Sequence, residues 1–257
     1  MLAPNPELCS AELSLPKFRI VRLLKDASKA FLFYRKELIL RKSILSTFGG
    51  SLITTAFDVS TSMEEKYEEM IQMLLKGTFG SVDNWFSVEE LDGLRKSLIG
   101  RYEENAFRPA KIGNQFTATK EESIRSDQIH WLFQEDLVSE ELVFFQRIEG
   151  FKNYLNRTCF AGIQSYEFHY AMYFKDTFYK RHSDQFNNDD RRQYSMVLYL
   201  NEDWQMGDGG ELMLYTEPQQ RIAPTNGKLV FFQSDIEHEV LLSAKTRLSL
   251  TGWFKSV

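Results

Sequence analysis

The chain has 257 residues, of which 43% are hydrophobic, 14% aromatic and 26% charged, and its formal net charge is −5. These proportions exclude a disordered, collagen-like or disulfide-framework protein and leave ample apolar side chains for one sizeable core. No apolar run approaches the roughly 20 residues of a membrane helix, and the acidic balance argues against nucleic acid as the main partner.

The first residues, MLAPNPELCSAELSL, lack the basic start and apolar stretch of a secretory signal. Cys9 and Cys159 do not make a disulfide framework, so a reducing cytoplasm is the expected compartment. Residues 17–42 hold nine basic side chains against Asp26 and Glu37. Leu23, Leu24, Phe31, Phe33 and Leu38 lie among them, so the plain reading is a solvated helix; an acidic partner or a membrane surface is the alternative. Residues 1–60 are set apart as a basic, helical N-terminal extension, and residues 61–257 as the main domain.

Ser62 with Glu65 three residues on fits a capping box, and opens a helix with Tyr67, Met70, Ile71 and Leu74 on one face, ended by Gly77. Ser87 with Glu90 repeats the signal before Leu91, Leu94, Leu98 and Gly100. Residues 109–127 are polar and read as a mobile loop. A third helix is expected from Ser139, burying Leu142, Phe145, Ile148 and Tyr154 or Leu155. After Gly162 the texture changes. Strands are expected near 165–174, 194–200, 211–215, 228–232, 239–243 and 247–254, with turn chemistry between them. The fold class that follows is α+β: a double-stranded β-helix, or jelly roll, from about residue 163, buttressed by helices from the N-terminal half.

Three pieces carry chemistry. His182 and Asp184 form a His-x-Asp pair, and on a strand residues i and i+2 share a face. His238 adds a second imidazole at a strand edge. Two histidines and one carboxylate make a facial triad, which leaves three positions of an octahedral metal open, as non-haem Fe(II) oxygenases need; Mn, Co or Ni would fit the same ligands. Arg247 sits in an otherwise apolar strand, where a buried guanidinium needs a counter-charge. A dicarboxylate spanning metal and Arg247 would satisfy both ends. Taken singly, each piece has a plainer explanation: a surface hydrogen-bonded pair, a satisfied strand-end histidine, an ordinary salt bridge. His130 and His169 have no motif partner and read as structural.

Together with Tyr199, Leu200, Asn201 and Trp204, the run from Gly209 to Tyr215, the Phe231, Phe232, Ser234 and Asp235 segment, and residues 247–253, these pieces resemble the Fe(II)/2-oxoglutarate-dependent dioxygenases. The resemblance is to the prolyl 4-hydroxylase type, in the branch of the hypoxia-inducible-factor prolyl hydroxylases and their bacterial relatives. It runs from about residue 112 to 254 and includes residues 124–132. It implies His182, Asp184 and His238 as iron ligands, and Arg247 and Tyr199 as partners of the distal 2-oxoglutarate carboxylate. Tyr173 and Thr251 are implied in the cosubstrate pocket, Arg192 and Trp253 near a peptide substrate, and residues 112–125 as a lid. Fe(II), 2-oxoglutarate and O2 are the implied cofactors, with ascorbate as reductant. The implied reaction is hydroxylation of a prolyl residue in a flexible protein segment, giving hydroxyproline, succinate and CO2; translation factors and ribosomal proteins are among the substrates of this branch. The chain departs from the family pattern after Tyr173 and at Gly113, which bears on substrate identity. Two other readings stay open: an oxygenase of the same class acting on another residue, a nucleobase or a small molecule, and a non-enzymatic metal-binding interaction module.

Overall fold

Three helices lie on one face of a seven-stranded antiparallel sheet, and a four-stranded sheet supplies further antiparallel strands. The structure is a computed structural model that describes residues 54–110, 123–185 and 190–256. The basic segment 17–42 and most of the expected lid lie outside the described residues.

Helix α1 spans Thr54–Gly77, α2 Val88–Glu103 and α3 Ser139–Cys159. Tyr67, Met70, Ile71 and Leu74 are buried on one stripe of α1, as their spacing predicts. The helix starts earlier than expected, however, so Ser62 lies inside it and the 60/61 boundary falls within an unbroken helix. Ser87 does cap α2: its Oγ accepts from the Glu90 N–H at 3.2 Å, and Glu90 Oε2 accepts from the Ser87 N–H at 2.7 Å. Helix α2 continues past Gly100 to Glu103.

Helix α3 starts at Ser139 as expected, with Glu141 reaching back to the Val138 N–H at 3.0 Å. Its buried stripe keeps the expected Ile148, Tyr154 and Leu155, with Phe145 partly buried, and departs at Leu142. Phe144, Ile148, Phe151, Tyr154 and Leu155 face the core, while Leu142 is 46% exposed. The sheet decides this, because Phe144 meets Phe168 at 5.1 Å and Phe151 meets Phe231 at 5.2 Å between ring centroids.

The seven-stranded sheet has the order β1-β9-β6-β11-β4-β3-β2. Its strands are β1 Phe79–Val82, β9 Leu229–Gln233, β6 Arg192–Tyr199, β11 Arg247–Lys255, β4 Ser165–Tyr173, β3 Gln128–Trp131 and β2 Arg108–Pro109. The second sheet runs β5-β10-β7-β8: Tyr179–His182, His238–Val240, Leu212–Leu214 and Gln220–Ile222. The six expected strands are all present with shifted ends; β10, for example, starts at His238 and ends at Val240. The short strands β1, β2, β3 and β8 escaped the sequence pattern because two to four residues carry almost no periodicity.

Alternation divides the large sheet into two faces. Met196, Leu198, Leu229, Phe231, Leu250 and Phe254 pack in the helix-side core. Val197, Tyr199, Val230 and Phe232 belong to a separate cluster with Leu212, Leu214 and Ile222 of the second sheet. The functional side chains lie on this inter-sheet side.

Candidate functional site

A cavity of about 110 Å³ lies between the two sheets. Its wall includes His182, Asp184 and His238 at one place and Tyr173, Arg247 and Thr251 at another. Trp131, His169, Arg192 and Trp253 complete a further part of the lining.

His182 ends β5 and His238 begins β10, and the two are cross-strand partners in register. Asp184 lies beyond the end of β5, so the pleat does not bring it to His182 as the strand argument supposed. A turn does: the Asp184 and Gln185 N–H groups both donate to the Ser234 carbonyl at 3.0 Å. Asp184 Oδ1 is then 3.7 Å from His182 Nε2, and Asp184 Oδ2 is 3.5 Å from His238 Nε2. One ligand atom from each of the three residues falls within 4.8 Å of the others.

The surroundings prepare this group for a divalent cation. His182 Nδ1 pairs with the Lys180 carbonyl at 2.7 Å and His238 Nδ1 with the Ile236 carbonyl at 2.9 Å. Those bonds put the ring proton on Nδ1 and leave both Nε2 lone pairs for a metal. Ser195 Oγ donates to Asp184 Oδ2 at 2.7 Å and touches Ser234 Oγ at 2.9 Å. Burial, then the neighbouring His238, push the His182 imidazole below its usual range, so it is neutral. Burial alone would raise the Asp184 carboxyl, but His238, His182, Arg192 and Ser195 outweigh it and keep the group ionised. A neutral His182 imidazole and an ionised Asp184 carboxylate are the protonation states that metal binding requires of them.

Arg247 is 3% exposed and pairs with no carboxylate among the described residues. Its Nε donates to the Gly210 carbonyl at 2.8 Å and its Nη1 to Ser249 Oγ at 3.2 Å. The guanidinium lies 4.8 Å from the Tyr173 ring centroid and 4.9 Å from that of Tyr199. The Tyr199 hydroxyl is buried beside it, near enough for Arg247 to oppose its rise in pKa, yet has no partner of good hydrogen-bond geometry among the described residues. Burial raises the pKa of both tyrosines, so they remain neutral donors. Ser249 Oγ in turn is 3.4 Å from Thr251 Oγ1. Two glycines permit this packing. Gly209 and Gly210 have φ of +72° and +71°, and a Cβ would stand 2.1 Å from the Leu242 carbonyl oxygen at the first and 2.9 Å from Ser243 Oγ at the second.

Arg192 and Trp253 meet at the cavity, the guanidinium 3.6 Å from the ring centroid. Arg192 also donates to Glu167 Oε1 at 2.8 Å, and Lys255 donates to Glu167 Oε2 at 2.9 Å. All nine expected site residues are thus assembled around one cavity, Tyr199 through its contact with Arg247. Sequence reasoning gave no site role to Tyr179 or Ser195, and named Arg125 and Asp127 only within the resembling run 124–132, with Arg125 at the end of the implied lid. Arg125 grips Asp127 at 2.8 and 2.7 Å and lies over the Tyr179 ring at 4.2 Å, while Tyr179 stacks on His182 at 3.5 Å between centroids. The signal available was the Arg-x-Asp spacing at 125–127. His130 is structural, its Nδ1 against the Ala106 carbonyl at 3.3 Å. His169 is buried, as a structural residue would be, but in the wall of the cavity.

The model of the 2OG-Fe(II) oxygenase superfamily matches residues 168–255. A prolyl-4-hydroxylase from Pseudomonas putida is 31% identical, and the alignment covers 74% of this chain and 99% of that one, with a TM-score of 0.67. The chain belongs to the 2OG-Fe(II) oxygenase superfamily. An uncharacterized PKHD-type hydroxylase from Synechocystis sp. is 24% identical over 220 residues, covering 77% of this chain and 70% of that protein. The fold is shared with a prolyl hydroxylase from Trichoplax adhaerens, solved with a hypoxia-inducible-factor peptide: 20% identity, 79% and 94% coverage, TM-score 0.71. The superfamily implies Fe(II), 2-oxoglutarate and O2, and the His–Asp–His group and the buried guanidinium of this oxygenase, which has no carboxylate beside it among the described residues, fit that set. No helix among the described residues is long and apolar enough to cross a membrane.

Proposed function

We propose that this oxygenase hydroxylates a prolyl residue in a protein segment, converting 2-oxoglutarate and O2 to succinate and CO2. The observation that carries the reading is Arg247, a guanidinium buried between Tyr173 and Tyr199 with no carboxylate beside it among the described residues. A metal site with no cosubstrate has no use for such a group, which disfavours a non-enzymatic binding module. The likeness to the Pseudomonas putida prolyl-4-hydroxylase supports the prolyl substrate.

His182, Asp184 and His238 would hold Fe(II) through two Nε2 atoms and a carboxylate oxygen. Iron bound there supplies, with 2-oxoglutarate and O2, the oxidation that places one oxygen atom in a substrate C–H bond. Arg247 pairs with the distal carboxylate of 2-oxoglutarate, and the Tyr199 hydroxyl donates to the same group. Tyr173 and Thr251 border that carboxylate and orient it. Ser195 and the Ser234 carbonyl hold Asp184 in position. Leu212, Phe232 and Val240 keep the interior dry. The two-sheet arrangement is that of a jelly roll. A cavity of about 110 Å³ suits a small dicarboxylate and one projecting side chain. It falls well short of the roughly 300–1,000 Å³ of pockets that engulf bulky small molecules.

The test is anaerobic titration with Fe(II) and then 2-oxoglutarate, followed by air, ascorbate and a panel of proline-containing peptides. The expected results are a weak visible absorption from the iron chelate, succinate in step with peptide oxidation, and a product heavier by about 16 Da on proline. Oxidation confined to other residues would overturn the prolyl assignment and keep the oxygenase. A folded, metal-loaded protein with no chelate absorption would overturn the cosubstrate pocket.

A further inference from the structure

Four flat groups from four neighbouring strands cross the large sheet on its cavity side: Arg192 of β6, Trp253 of β11, His169 of β4 and Trp131 of β3. Arg192 covers Trp253. Trp253 and His169 stack with centroids 5.4 Å apart and planes 17° from parallel. Trp131 is the register partner of His169, its ring centroid 4.9 Å away.

His169 differs from the other histidines of the chain. The Nδ1 atoms of His130, His182 and His238 each face a backbone carbonyl at 2.7–3.3 Å. His169 is 3% exposed; the backbone of Thr251, its register partner on β11, faces the ring, and Nδ1 itself has no partner of good hydrogen-bond geometry among the described residues. A buried ring nitrogen left without a partner is costly, and a ligand that reaches it recovers that cost. Burial, then Arg125 and Arg192, hold the ring neutral, with a pKa down to about 3. A neutral imidazole offers a donor or an acceptor at Nδ1, and a peptide unit supplies both complements.

Resting on the prolyl reading above, we propose that His169 is a specificity-determining residue that hydrogen-bonds the substrate main chain through Nδ1, while the Trp131–His169–Trp253 stack packs against the prolyl segment. A flat apolar wall suits a rigid pyrrolidine ring, which brings no N–H of its own. The neighbouring peptide units therefore carry the polar contact.

The full chain, loaded with Fe(II) and 2-oxoglutarate, is assayed on the peptide panel as wild type, His169→Phe and His169→Asn. Phenylalanine keeps a flat ring without polar atoms, and asparagine returns a polar atom near the place of Nδ1. Peptide affinity is also read anaerobically from tryptophan fluorescence, without turnover. His169→Phe is expected to raise peptide Kd and KM about tenfold, with 2-oxoglutarate affinity and the chelate absorption unchanged, and His169→Asn to restore most of the loss. An unchanged peptide Kd in His169→Phe overturns the role of His169 and leaves the prolyl reading standing. Parallel loss of 2-oxoglutarate affinity shows a structural role and overturns it too. A wild type that hydroxylates no peptide, while converting 2-oxoglutarate, overturns the prolyl reading and this inference with it.

Discussion

The two faces of the seven-stranded sheet are made from the same strands and do opposite work. On the helix side, alternate residues are Met196, Leu198, Leu229, Phe231, Leu250 and Phe254, closed under α1, α2 and α3. On the cavity side, the intervening residues include Ser195, Tyr199, His169, Tyr173, Arg247, Ser249 and Thr251, and several are polar groups buried at a cost. One face contributes stability through burial, and the other spends part of it to hold donors and ligands ready. A period of two lets one strand do both, because a one-residue step changes the face.

Substitutions on each face should separate the two roles. The largest effect is expected from His238→Ala, which removes a ligand outright. Fe(II) affinity, read by calorimetry, should fall by more than the roughly 100-fold that loss of a supporting contact can cause, and turnover should vanish while the fold persists. Retained tight binding would displace His238 from the metal group. Phe231→Ala on the helix side should cost about 3–5 kcal/mol of stability. In the fraction that stays folded, affinity for 2-oxoglutarate should not move, and a parallel loss would blur the division of labour.

Arg247→Met should raise the KM for 2-oxoglutarate about 100-fold, the scale of a lost bidentate charged contact. It should cost much less stability than Phe231→Ala, because it also removes a buried charge with no carboxylate partner among the described residues. Equal losses of stability in thermal unfolding would contradict that. Ser195→Ala should weaken metal binding about tenfold by freeing Asp184, with Asp184→Asn as the stronger comparison. The last expectation concerns pH. His169 in the folded chain is held neutral down to about 3, whereas the unfolded chain protonates near the usual 6.5. Below that value the unfolded state binds more protons, so metal-free stability should fall as pH drops from about 6.5 toward 3. His169→Phe should flatten part of that slope in denaturant melts.

Much of this was legible in the chain. Short runs rich in Tyr, Val, Leu and Phe between turn residues mark the strands after Gly162, and the stripe from Tyr67 to Leu74 marks α1, because burial on one helix face leaves a periodic imprint. His182, Asp184 and His238 stood out as a candidate facial triad, and Arg247 as a charge in an otherwise apolar strand. The start of α1 and the exposure of Leu142 on α3 were not legible: helix ends carry weak local signals, and it is Phe144, facing Phe168, that α3 buries. Tertiary structure alone decided how Asp184 reaches the histidines. Its carboxylate is set by a turn fixed on the Ser234 carbonyl, a contact across 50 residues that no local spacing encodes. It also decided that the Nδ1 of His169 goes without a partner of good geometry among the described residues, since strand pairing across the sheet, and not its neighbours in sequence, chooses what surrounds a buried ring.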